Sequence, residues 1–284
     1  MVVAALVSGD DHRPVTGLRP SDFALREDGK PQRLSRFAEA RSSDMPLGIA
    51  LVIDNSGSMS GAPLENAKQA AEAFLDEMGN DEQVVVVRFD HEARVIAPLG
   101  PVDESMREAI RKLEPAGGTD MYLGMHEALE VLGTDLETFR VVVALTDGRT
   151  GQSAYSLDGT IATCRERAVP VFTVGLGDVD VPGLSRLADE TGGRFFHPEN
   201  PEDLEEIYRI LGEQLNSIYF LKYSSNRMRW DAGTADIEVE VRGATDSHSF
   251  QAPSERARFL TVVIPTSLLG LFILVSVILV IRRR

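Results

Sequence analysis

Of two carboxylates, Asp54 follows directly on the apolar run Leu47 to Ile53, and Asp147 comes one residue, Thr146, after the run Val141 to Leu145. Around them the chain reads Asp54-Asn55-Ser56-Gly57-Ser58 and Thr146-Asp147-Gly148, and between the two lies Gly117-Gly118-Thr119-Asp120. Alternation in the first segment lets an extended turn point three oxygens the same way. With the Thr119 hydroxyl added, Asp54, Ser56, Ser58, Thr119 and Asp147 form an all-oxygen set with only two charges. Such a set suits a hard divalent cation that keeps some of its waters, namely Mg²⁺, or Mn²⁺ or Ca²⁺. Other chemistry finds no support. Gly175-Leu176-Gly177 begins like a dinucleotide loop, but Asp180 stands where the third glycine is required. Asp178 and Asp180 resemble the start of a calcium loop, yet Pro182 occupies a ligand position. His12, His91, His126, His197 and His248 form no H-E-x-x-H pair, and His126 reads as a solvated histidine on a polar helix face. No serine sits in G-x-S-x-G, and no base stands beside Ser56 or Ser58. The expectation is no enzyme and no nucleotide.

These loops need a scaffold. Leu47 to Ile53, Val84 to Val87, Val141 to Leu145 and Val169 to Val174 are nearly unbroken apolar runs, as expected of strands covered on both faces. Between them, Leu64, Ala67, Ala71, Phe74 and Met78 recur at helical spacing behind Pro63, and so do Met121, Met125, Ala128, Leu129 and Leu132. A last helix opens at Asn200-Pro201 and carries Leu204, Ile207, Tyr208, Leu211 and Leu215 on one face. Strands alternating with helices predict an α/β fold, a doubly wound, mostly parallel sheet. In such a sheet ligands bind beyond the carboxyl ends of the strands, where Asp54 and Asp147 lie. The flanks differ. Residues 1–44 break into short apolar stretches between turn-rich ones, and Ile218 to Tyr223 and Ile237 to Val241 alternate like edge strands. The two flanks are expected to pack together as a small β-rich module.

At this point the sequence resembles a known family. The D-x-S-x-S loop, the later Thr119 and the later Asp147 are similar to the metal-ion-dependent adhesion site of von Willebrand factor type A (VWA) domains, over about residues 46–216. The resemblance implies a Rossmann-like fold, direct metal contacts from Ser56, Ser58 and Thr119, and Asp54 and Asp147 bound directly or through water. It also implies a partner protein whose Asp or Glu completes the metal shell. Pro14-Val15-Thr16-Gly17-Leu18, Asp22-Phe23 and Glu27-Asp28-Gly29-Lys30 resemble the leader of a bacterial group of VWA-related proteins.

The chain has 284 residues with 29 basic and 44 acidic side chains, a formal net charge of −15, which argues against nucleic acid as a partner. Cys164 stands alone, so there is no internal disulfide, and it reads as a small buried helix residue. Phe259 to Ile281 carries no charge and precedes Arg282, Arg283 and Arg284. As a helix it would be about 34 Å long, enough to cross a membrane. The expected organisation is therefore an N-terminal flank (1–44), a VWA domain (46–216), a C-terminal flank (217–250), a juxtamembrane linker (251–258), a transmembrane helix (259–281) and a basic tail (282–284). The arginines favour a cytoplasmic tail with the bulk outside, although no export signal is visible; a tail-anchored cytosolic protein is the alternative. The function expected is a membrane-anchored, cation-dependent adhesion module, with an assembly or regulatory subunit beside an ATPase machine as the alternative.

Overall fold

The computed structural model describes residues 1–9, 13–40, 46–79, 81–134, 138–148, 150–151, 153–225, 233–241 and 244–252. In chain order the strands are β1 (Val2–Ala5), β2 (Phe23–Glu27), β3 (Lys30–Gln32), β4 (Leu34–Glu39), β5 (Leu47–Asp54), β6 (Gln83–Phe89), β7 (Ala93–Gly100), β8 (Phe139–Thr146), β9 (Val171–Gly175), β10 (Phe195–Phe196), β11 (Tyr219–Tyr223), β12 (Gly233–Val241) and β13 (Ala244–Ala252). The helices are α1 (Ala62–Asp76), α2 (Glu104–Arg111), α3 (Met121–Leu132), α4 (Leu157–Arg167), α5 (Val181–Thr191) and α6 (Leu204–Asn216). They fall into two compact units, one within Met1–Asp44, Glu166–Ala168 and Glu213–Arg284, the other within Met45–Arg165 and Val169–Gly212.

The larger unit holds a sheet in the order β10-β9-β8-β5-β6-β7. Strands β6, β5, β8, β9 and β10 run parallel, while β7 is antiparallel to β6, so the sheet is mixed. Every residue of β5 and β8 is buried, which explains their unbroken apolar runs. The expected stripe on α3 is buried too and packs with Ala50, Val52, Val85 and Val87 of the sheet. Gly124 lets that helix lie close, because a Cβ there would come within 2.9 Å of Phe89. Cys164 is fully buried on α4, as its type suggests. The helix opening at Asn200 starts as a 3₁₀ turn over Pro201–Asp203 and becomes α-helical only at Leu204. The chain leaves β5 for β6 on one side and later enters β8 on the other. The crevice between the carboxyl ends of β5 and β8 is therefore a topological switch point.

The smaller unit pairs both flanks of the chain. One sheet runs β1-β11-β4, the other β13-β12-β2-β3, each wholly antiparallel. Val3, Ala5, Tyr219, Leu221 and Tyr223 from the first meet Phe23, Leu25, Ile237, Val239 and Val241 from the second in one core. Asp28 and Gly29, at φ 51° and 72°, form the two-residue turn between β2 and β3. Glu27 is buried and accepts hydrogen bonds from the Tyr223 hydroxyl at 3.1 Å and the Ser225 hydroxyl at 2.8 Å.

The expected transmembrane helix requires correction. Among the described residues no helix is long and apolar enough to cross a membrane. The longest of them, α1, has 15 residues, or about 22 Å of rise against the ~30 Å of a hydrocarbon core. The stretch 259–281 read as a spanning helix, with the tail 282–284, lies outside the described residues. The expected single-pass or tail-anchored membrane topology thus finds no support among the described residues.

Candidate metal centre

Asp54 is the last residue of β5, and its side chain is fully buried. Its Oδ2 accepts a hydrogen bond from the Thr146 hydroxyl at 2.6 Å, and its Oδ1 accepts one from the Ser56 amide at 2.8 Å. Burial raises the Asp54 carboxyl above its ordinary range; the two donors oppose that rise and the negative Asp147 adds to it. From Ser56 the oxygens run outward. The Ser56 and Ser58 hydroxyls lie 3.0 Å apart, and the Ser58 hydroxyl donates to Asp147 Oδ1 at 2.7 Å. Ser56 is buried, Ser58 exposed and Asp147 half-buried, so the row rises from the sheet edge to the surface.

The loops are held by backbone bonds. The Asn55 amide donates to the Phe89 carbonyl at 2.9 Å, and the Gly57 amide donates to the Gly117 carbonyl at 3.1 Å. The Ala116 amide returns a bond to the Asn55 carbonyl at 2.7 Å, which fastens the glycine turn beside the serine loop. Gly117 takes φ +62°, a backbone that a side chain would strain. Asp120 caps α3 by accepting from the Leu123 amide at 3.0 Å. The preceding Thr119 is thereby set next to Gly148, whose Cβ position would lie 3.2 Å from the Thr119 hydroxyl oxygen.

The structure thus gathers all five expected residues at one sheet edge. Asp54, Ser56, Ser58 and Asp147 are linked in a chain, and Thr119 joins beside Gly148. Sequence reasoning missed Thr146, which quoted no chemistry beyond ending a strand, and Asn55, whose side-chain amide donates to the Glu114 carbonyl at 3.0 Å. Among the described residues no group of three or more His, Cys, Asp or Glu side chains comes together to hold a metal. Without that cluster and without a spanning helix, membrane-anchored, cation-dependent adhesion completed by a partner's Asp or Glu is not supported and is withdrawn. The rejected alternatives have ordinary roles. Asp180 accepts from the Gly183 amide at 3.2 Å as the cap of α5, and Gly177 turns the chain at φ +64°. His126 is not solvated as expected: it is half-buried and stacked on Tyr155 with ring centroids 3.6 Å apart.

The sheet order and the loops at its switch point can be set against known proteins. The von Willebrand factor type A domain profile matches residues 48–210. The chain belongs to the von Willebrand factor type A family. Members of this family are typically non-catalytic adhesion and interaction modules, consistent with a non-enzymatic function. It is 32% identical over 204 residues to an uncharacterized Synechocystis protein, covering 66% of this chain and 47% of that one. It is 28% identical over 174 residues to mouse inter-alpha-trypsin inhibitor heavy chain H2, covering 55% of this chain and 18% of the relative. The chain therefore spans less than half the length of these curated relatives. Among solved structures, a von Willebrand factor type A protein from Catenulispora acidiphila superposes with a TM-score of 0.58 at 14% identity, covering 88% of this chain and 72% of that one. Proximal thread matrix protein 1 of the mussel byssus, with a zinc-occupied MIDAS motif, gives 0.55 at 21% identity, covering 68% of this chain and 50% of that one. These likenesses show the VWA fold.

Proposed function

We propose that this VWA chain is a non-catalytic protein-binding module in which Asp54, Ser56, Ser58, Thr119 and Asp147 hold one divalent cation. The observation that carries this is the Ser58–Asp147 hydrogen bond of 2.7 Å, which joins two loops 89 positions apart into one row of oxygens. The donor set fits a hard cation: it has oxygens alone, two of them carboxylates, and no Lys or Arg hydrogen-bonds to either carboxylate among the described residues. Bound there, the ion would neutralise both carboxylates. Mg²⁺ suits the mixture of carboxylates and hydroxyls, with Mn²⁺ and Ca²⁺ as the other hard ions of the class. The mussel protein, with zinc in its MIDAS motif, supports reading the same sheet edge as a metal position.

Calorimetric titration of MgCl₂ and MnCl₂ into the EDTA-stripped full chain tests the proposal. Saturable binding by the wild type is expected, weakened roughly tenfold or more in Ser58→Ala and Asp54→Asn. A wild type that neither takes up heat nor gains thermal stability at millimolar cation overturns it, as does equal affinity in the variants.

A further inference from the structure

Beside the oxygen row lies a cavity of about 400 Å³ lined by Met121 and Tyr122 of α3, Thr146 and Gly148, Thr150, Ser153 and Tyr155, and Asp180 and Leu184. Its size falls within the range of sites that enclose a small ligand or one long side chain, ~300–1,000 Å³. Only three large apolar side chains are exposed among the described residues, and one of them, Tyr155, lines the cavity. Exposed aromatic surface around a polar pocket is the usual build of an interaction hot spot. The stack of Tyr155 on His126, at an interplanar angle of 13°, orders that aromatic before any partner arrives.

The charge of the pocket selects its occupant. Asp180 lines the cavity, and the one hydrogen bond to its carboxylate among those described is the cap from the Gly183 amide. No Lys or Arg pairs with it among the described residues. The Tyr122 hydroxyl is raised above its ordinary value first by burial, then by the carboxylates of Asp180, Asp120 and Asp158. Of these three, Asp158 is paired with Arg186 at 2.7 Å, so the negative field at the cavity comes chiefly from Asp180 and Asp120. Apolar walls, tyrosine rings and a carboxylate together match one side-chain type. An arginine offers an alkyl stem for Met121 and Leu184, a planar cation for a tyrosine face, and a fork of donors for Asp180.

We propose that this cavity receives an arginine side chain of the protein partner. The inference rests on the protein-binding reading above and names the partner's chemistry.

The probe is N-acetyl-arginine methylamide, titrated into the ¹⁵N-labelled full chain, with the uncharged isostere N-acetyl-citrulline methylamide as control. Saturable shifts of the Gly148, Gly151, Tyr155 and Asp180 amides are expected with the first and not with the second. Asp180→Asn keeps the helix cap and removes the charge, and should weaken the probe about tenfold. Tyr155→Ala, at an exposed position, should weaken it as well. Equal shifts from both probes, or an undiminished response in Asp180→Asn, overturns the proposal. The cation titration is read separately, so a chain that binds Mg²⁺ but not the probe loses only this inference. One that binds the probe but no cation loses only the metal centre.

Discussion

The Thr146 hydroxyl and the Ser56 amide hold the buried Asp54 carboxylate at 2.6 Å and 2.8 Å, in a setting that otherwise disfavours its charge. Thr146→Val keeps the shape and removes the donor. We expect a loss of about 1–3 kcal/mol in urea unfolding and weaker uptake of Mg²⁺. Titration of Asp54 has a definite sign. Its folded carboxyl lies above the ordinary value of 3.8, so the metal-free native state binds more protons than the unfolded chain just above that pH. This contribution to stability is complete below 3.8 and is lost as pH rises through the folded value. Unfolding in EDTA should show that slope in the wild type and not in Asp54→Asn. Cation uptake runs the other way and weakens as pH falls, because protons compete for the same oxygen. Asp54 and Asp147 were legible as a pair because each lies in the loop at the end of an apolar run. Thr146 was not, because a threonine closing a strand reads as a β-former, and its bond to Asp54 exists only once β5 and β8 are neighbours.

At the scale of elements, legibility followed the strength of the apolar pattern. Helix α3 buries its stripe from Met121 to Leu132 against the sheet, and its period stands out in the sequence. Helix α2 buries only Met106 and Ile110 and carries four charged residues, so its period is faint. Its placement depends on long-range ion pairs, Arg107 with Asp76 at 2.8 Å and Arg111 with Glu72 at 2.9 Å. Strand β7 contains Pro98 and Gly100 and lies at a sheet edge, where proline is tolerated but the strand signal is lost. Close approach of backbones also leaves little trace in sequence. A Cβ at Gly193 would overlap the Val171 carbonyl oxygen on β9. Gly193→Ala should therefore cost about 1–3 kcal/mol, read as a lower urea midpoint with unchanged slope. Gly133→Ala, with open space around its Cβ position, should cost the backbone strain of its φ 65°, ψ −158° conformation, about 1–3 kcal/mol.

Across the whole chain, the smaller unit joins segments that are remote in sequence. Val2 pairs with Lys222 and Ala5 with Tyr219, while β4 takes the other edge of β11. Short alternating stretches showed that strands were present; no local signal states which strand neighbours which, because pairing is decided by burial of Val3, Tyr219 and Tyr223 in a shared core. Removing residues 1–9 should raise amide exchange in β11 strongly and leave exchange in β5 unchanged, since β5 lies in the other unit. The same pairing sets an order of events during synthesis. Strand β1 is made well before its partner Tyr219–Tyr223, which follows roughly 200 residues later, a wait of about 10–40 s at cellular elongation rates. Throughout that interval the run Val2-Val3-Ala4-Ala5-Leu6-Val7, wholly buried in the finished fold, stays in water without its neighbour. The nascent chain thus carries a sticky, unpaired strand past the point where its larger unit is complete, and its yield should depend on whatever shields those six residues until their partner strand arrives.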